Sequence, residues 1–461
     1  MKREYSRMLG VVLSLLFVLL GSATALAQEG TSPIKNVTAI NRIFSDGLKT
    51  EAVVVEYNAP IKQSELKKSD FEVRDKTITK IYANDTPEEA SVGKNGRYVI
   101  LQLSTDYELP VQIGEPAHTG SSAQHPSSPQ NNMPQQTMAE MLKVRGNPPA
   151  HPAISLSSKA GGNGLLVYVR QAGTLTTIEG NQIEPQSDWS YNQKDVNLVL
   201  DGFSKPDFHD PKTGKMMKFS LFVPYHYDPA KSYPLVLFIQ DEYSCRPRHD
   251  EPLLQGLGGV VWAEPSEQAK HECFVLVPAY FNAIADSSFK TTQDLDITMD
   301  LLDTLQTLYN IDAKRLYLTG QSMGAMAALA MNEKYPNRFA ASLLIAGSWN
   351  PQSAFVMKQK NLWFVASEGD TVTTQRLRTF VSALEKSGAK VTRSLCDGRA
   401  PQKEFQKAAA ASGNIKFTLF KSGTVVPSGK PDTSFNNRLY SWRIAYEIEP
   451  LRDWLFRQSK Q

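Results

Sequence analysis

Apolar residues follow two different rhythms along the chain. From Ile34 to about Leu103 they form short β-type runs: Ala52 to Val55 with Tyr57, Phe71 with Val73, Ile78 with Ile81 and Tyr82, and Tyr98 to Leu103. Asp-Gly, Asn-Gly and Pro break these runs, the pattern of a β-sandwich with tight turns. The pattern returns at Leu165 to Val169 and at Val196 to Leu200. Between Gly114 and Gly164 the composition shifts to Ser, Pro, Gln, Asn and Gly. So little apolar surface cannot offset the entropy of ordering, which predicts a disordered insertion over about 114–164 within the β domain. From Phe219 onward strands alternate with helices, the sign of a mostly parallel, doubly wound sheet covered on both faces. Strands are predicted at Tyr233–Ile239, Cys273–Pro278, Arg315–Thr319, Phe339–Ala346 and Asn361–Ala366. Helical periodicity fills Leu295–Leu308, Met323–Lys334 and Thr374–Lys386. The boundary is predicted near residue 200, giving a β domain over 28–200 and an α/β domain over 201–461.

The first residues bear on where the protein works. Lys2 and Arg3 precede an apolar run from Leu9 to Leu20, and Ala25, Leu26 and Ala27 form a small-x-small cleavage pattern. This predicts a removed signal peptide over 1–27 and export, to the periplasm or the medium. The run is short for a membrane span, so no transmembrane segment is expected after its removal. The 461-residue length leaves room for two domains and a large core. With 50 Lys and Arg against 47 Asp and Glu, charge selects no partner, and no basic run interleaved with aromatics calls for nucleic acid. Neither a cofactor nor a metal is expected. Cys245, Cys273 and Cys396 are too few for a disulfide scaffold. Parallel geometry separates Cys245 from Cys273 and leaves either a Cys245–Cys396 bridge or three idle thiols.

Candidate chemistry begins at Gly320, Gln321, Ser322, Met323 and Gly324, a GxSxG run between a predicted strand and a predicted helix. In α/β-hydrolases this run is a nucleophile elbow, a sharp turn that needs small residues two before and two after the serine. Ser322 is the candidate nucleophile, and the Met323 N–H the first oxyanion donor. A second donor is expected from the turn after Ile239, at Asp241, although Gln240, Asp241 and Glu242 are bulky for such a turn. Asp370, after the predicted Asn361–Ala366 strand, falls on the same sheet edge as Ser322 and is the candidate acid, with a solvated turn aspartate as the alternative. Asp397 is a second possible carboxylate.

A serine needs a base, and here the pattern breaks. All seven histidines precede Ser322 in the chain. His118, His125 and His151 lie in or beside the predicted insertion, and His226 and His271 precede strands, at the opposite sheet edge. His249, in the long loop after Ile239 beside Asp250 and Glu251, remains as a possible replacement base.

Nearly all of the chain after the leader resembles exported esterases with an immunoglobulin-like N-terminal domain, whose catalytic domain is related to prolyl oligopeptidases. The resemblance rests on Ala39 to Tyr57, Ile78 to Asp85, Gly93 to Val99, Asp210 to Gly214, Phe222 to Pro224 and Tyr233 to Ile239. It continues through Gln255 to Ala263, Gln268 to Pro278, Gly320 to Ala325, Gly369 with Asp370, and Ser441 to Leu455. It implies an immunoglobulin-like sandwich ahead of an α/β-hydrolase domain. It also implies a catalytic histidine four positions before Trp442, where this chain has Arg438. Arginine stays protonated at physiological pH, so it can hold an anion but cannot accept the serine proton.

Two functions follow. The first is an exported serine-hydrolase-type protein, a carboxylic ester hydrolase rather than a peptidase, acting on a small ester or carbohydrate-linked substrate through Ser322. The second is a non-catalytic hydrolase-fold binding protein of the cell surface or periplasm, a pseudoenzyme that keeps the pocket.

Overall fold

The computed structural model describes residues 32–106, 154–156, 165–246 and 248–460. The leader expected over 1–27 and most of the insertion expected over 114–164 lie outside the described residues. Within that insertion, Ile154–Leu156 is a strand paired antiparallel with Pro206–His209. This departs from disorder because a three-residue segment borrows its backbone partners from an existing sheet edge.

Contacts group the chain into two compact units. One contains Val53–Gln102 and Tyr168–Gln193, the other Ala39–Ala52 and Lys194–Gln461. The β region carries a five-stranded sheet ordered Lys194–Asn197, Ile34–Phe44, Gly47–Ile61, Gly96–Leu103, Ile78–Asn84. A three-stranded sheet, ordered Ser190–Tyr191, Tyr168–Gln171, Phe71–Val73, accompanies it. In the second sheet Phe71, Val73 and Val169 alternate inward while Glu72, Tyr168 and Arg170 alternate outward, the period-two pattern of a half-solvated antiparallel face. This is the immunoglobulin-like sandwich.

The second unit is built on an eleven-stranded sheet. Its order is Val391–Cys396, Ile415–Phe420, Asn361–Ser367, Ala341–Ile345, Ile311–Gln321, Tyr233–Ile239, Phe274–Ala279, Met216–Phe222, Pro206–His209, Ile154–Leu156, with Phe203–Ser204 beside Met216–Phe222. The run from Val391–Cys396 to Phe274–Ala279 is parallel, and antiparallel pairing begins at Met216–Phe222. Both faces are covered, so central strands read as unbroken apolar runs: every residue of Tyr233–Ile239 is buried. Leu235, Leu237 and Ile239 pack with helices Asp294–Leu308, Met323–Lys334 and Thr371–Lys386. Val236 and Phe238 pack on the other side, with Gln402–Ala410, Ser434–Ala445 and Glu449–Phe456. The architecture is the α/β-hydrolase fold.

Boundaries moved where side chains intervene. The helix expected from Thr374 starts at Thr371 because the Asp370 carboxylate accepts from Thr373 N–H and caps it. The strand expected at Arg315–Thr319 extends over Ile311–Gln321, since Tyr233 and Ile311 also pair.

Candidate active site

The parallel strands bring their C-terminal loops to one edge, and four of these loops build the site. Ser322 closes the Ile311–Gln321 strand and opens the Met323–Lys334 helix with φ 51° and ψ −117°. A non-glycine residue there is strained, and the turn holds because its surroundings leave no alternative. Ser322 N–H donates to Ile345 O at 2.9 Å. A Cβ on Gly324 would lie 2.1 Å from Ile239 O, and one on Gly320 would lie 2.6 Å from the Gly324 carbonyl carbon. Only glycine at both positions lets strand and helix approach so closely. Met323, first in the helix, has no carbonyl one turn back for its N–H, which leaves that donor for a developing oxyanion.

Register places the other expected oxyanion residue close by. Ile239 pairs with Gly320 on the neighbouring strand, so Asp241 lies level with Ser322 one strand away. The Asp241 carboxylate is buried and turns to the following loop, accepting from Ser244 N–H (3.1 Å) and Oγ–H (2.8 Å). Burial pushes its pKa up to about 6 against the lowering effect of those Ser244 bonds. Ser244 Oγ also lies 3.0 Å from Gln255 Oε1, an alternative acceptor for the same proton, and Gln255 Oε1 accepts from Gln321 Nε2. Gln240, one of the residues bulky for such a turn, is fully buried and exchanges hydrogen bonds with the Tyr280 backbone. The sequence assigned no site role to Ser244 or Gln255; the bonds that link Ser244 to Gln255 and Gln255 to Gln321 span 11 and 66 residues.

Asp370 lies two strand positions from Ser322, across Ala341–Ile345, roughly 10 Å at the usual spacing. It is fully buried. Its Oδ1 accepts from Ser434 Oγ (2.9 Å) and Arg438 Nη2 (3.3 Å), and its Oδ2 from Arg438 Nε (3.0 Å). Arg438, one turn into Ser434–Ala445 and partly exposed, therefore grips the carboxylate with two prongs. The structure thus joins Asp370 to Arg438. Asp397 turns instead to Arg399 N–H.

His249 is not brought to Ser322. Its Nε2 bonds Asp207 Oδ1 at 2.7 Å, and its carbonyl accepts from Ser220 Oγ. Asp207 sits on the Pro206–His209 strand, four positions from the strand of Ser322, roughly 19 Å away. The expectation of a replacement base there is corrected because the loop after Ile239 folds outward over the antiparallel strands. Burial lowers the His249 pKa against the pull of Asp207. His271 bonds Asp453 and stacks on Phe456. Among the described residues no histidine hydrogen-bonds Ser322.

All three cysteines are free, so the Cys245–Cys396 bridge is absent. No cluster of metal-ligating side chains occurs among the described residues, and no described helix is long and apolar enough to cross a membrane.

Comparison with known proteins matches both halves of this architecture. The model of the esterase Ig-like N-terminal domain covers residues 36–184, and an esterase family model covers residues 261–416. The chain joins an esterase Ig-like domain to an esterase-type α/β-hydrolase domain. The esterase match includes Ser322 and Asp370 and stops before Arg438. The crystal structure of a thermostable esterase superposes with a TM-score of 0.70 at 25% identity, over 93% of this chain and 100% of that one. Acetylxylan esterase A of Emericella nidulans is 46% identical over 48 residues, which is 10% of this chain and only 16% of that enzyme.

Proposed function

We propose that this protein is an exported serine-type carboxylic ester hydrolase with Ser322 as nucleophile, slow because Arg438 stands where a histidine would act as base. The observation that carries this reading is the Arg438–Asp370 pair. Beside an elbow with its strained serine and both glycines, the position that should hold a proton acceptor holds a permanent cation. Attack by Ser322 Oγ on an ester carbonyl would place the oxyanion at the Met323 N–H and the Asp241 backbone, while the serine proton leaves to water. A triad lacking one member retains about 10³ to 10⁴-fold acceleration over water. That suffices for activated or small esters, including carbohydrate-linked ones, and disfavours peptides, whose amine leaving group needs a proton donor. Kinship of the catalytic domain with prolyl oligopeptidases belongs to the same reading.

The same pair favours a second reading, a non-catalytic binding protein that keeps the pocket. Hydrolysis of p-nitrophenyl acetate by the mature protein separates the two. A rate above that of Ser322→Ala supports the slow esterase. Equal rates for both proteins remove it and leave the binding reading.

A further inference from the structure

The outer face of the three-stranded sheet in the β unit gathers residues that are far apart in sequence. Arg74 lies with its guanidinium carbon 4.2 Å from the Tyr168 ring centre and 4.9 Å from that of Trp189. Arg170 lies 5.0 Å from the Trp189 ring centre and donates from Nη2 to Glu72 Oε2 at 2.6 Å. Tyr168 meets Tyr191 edge-on at 6.4 Å, and Tyr191 is 49% exposed. The strand registers place Glu72 opposite Arg170 and Tyr191 opposite Tyr168, so these six side chains share one solvent-facing surface.

We propose that this face binds an acidic polysaccharide, a chain of pyranose rings bearing carboxylates. Arg74 carries the argument. Its guanidinium is exposed and stacked, and makes no hydrogen bond among the described residues, so all five N–H donors are unspent. Stacking fixes the plane of the fork in advance, which lowers the entropy lost when a carboxylate docks two-pronged. Tyr191 and the ring edges of Tyr168 and Trp189 offer rigid, amphipathic contact area of the kind that covers a flat apolar ring face. Glu72, paired to Arg170, adds an acceptor for hydroxyl groups. Donor, acceptor and aromatic surface on one solvent-facing sheet face suit an extended polyhydroxyl chain with spaced charges.

The test uses the full mature protein in affinity gels and titrations at low salt, with polygalacturonate as probe. Neutral xylan, poly-glutamate and single-stranded poly(dT) are the comparators. Polygalacturonate is expected to bind best. Arg74→Ala and Tyr191→Ala should each weaken it at least tenfold, and Arg74→Lys should fail to restore it. Circular dichroism and the urea midpoint of each variant check that the fold persists; Tyr191, exposed at a strand end, supplies the variant least able to disturb it. Equal binding of poly-glutamate or poly(dT) would overturn the sugar assignment. Equal binding of neutral xylan would overturn the role of the carboxylate. Undiminished binding by both alanine variants would remove the site altogether.

Discussion

On the proposed reading, replacing Arg438 with histidine should raise esterase activity. In the wild-type protein Asp370 is held by Ser434 Oγ, Thr373 N–H and two guanidinium nitrogens. Arg438→His removes the last two and allows one imidazole N–H in their place, a net loss of about 1 kcal/mol of stability. Asp370 keeps its own two anchors, so the acid stays in position. A positioned general base contributes about 10² to 10⁴-fold, equivalent to roughly 3 to 5 kcal/mol of barrier. The helix was packed around a longer side chain, so we expect the lower end, about 10²-fold in kcat/KM for p-nitrophenyl acetate. The sign of the pH dependence is fixed by the chemistry. The gained activity should rise as imidazole loses its proton, around the ordinary pKa of about 6.5 or above it beside a buried carboxylate. A variant within threefold of wild type, while Ser322→Ala silences both, would refute the reasoning, because some other base would then serve Ser322. A gain that survives in the Ser322→Ala, Arg438→His double variant would refute it as well.

Gly324→Ala should cost about 3 kcal/mol or more, at or beyond the upper end of ordinary overpacking, because its new Cβ meets main chain at 2.1 Å rather than a movable side chain; urea denaturation reads it, and a cost under 1 kcal/mol would contradict the elbow geometry. Asp241→Asn keeps an acceptor for Ser244 while removing a buried charge whose pKa is raised to about 6. The folded carboxyl binds its proton more tightly than the unfolded one, so wild-type stability from this group is full below pH 4 and lost as pH rises through 6. The variant should therefore gain on wild type across that window, by up to about 3 kcal/mol, and parallel stability curves between pH 4 and 7 would contradict the burial argument.

The periodicity of the chain carried the fold. Tyr233–Ile239 and Met323–Lys334 begin and end where the apolar pattern predicted, because a strand buried on both faces and a helix packed on a sheet leave unambiguous runs. The elbow was legible for a similar reason: its chemistry is local, five consecutive residues whose sizes are dictated by one turn. Arg438 was legible only through resemblance. No property of the residue itself marks its position as one of interest to the chemistry.

What the sequence determined by itself was therefore short-range: two domain types, the elbow at Ser322, the carboxylate at Asp370 and the want of a histidine after them. Tertiary structure decided everything that depends on which strands are neighbours. It bonded His249 to Asp207, on a strand four positions from that of the serine. It bound Asp370 to Arg438 across 68 residues, and it gathered Arg74, Tyr168, Trp189 and Tyr191 onto one face. Hydrogen bonds and ring stacking act over a few ångströms. The chain brings such groups within reach only after strand order and register have been chosen by the burial of the whole sheet.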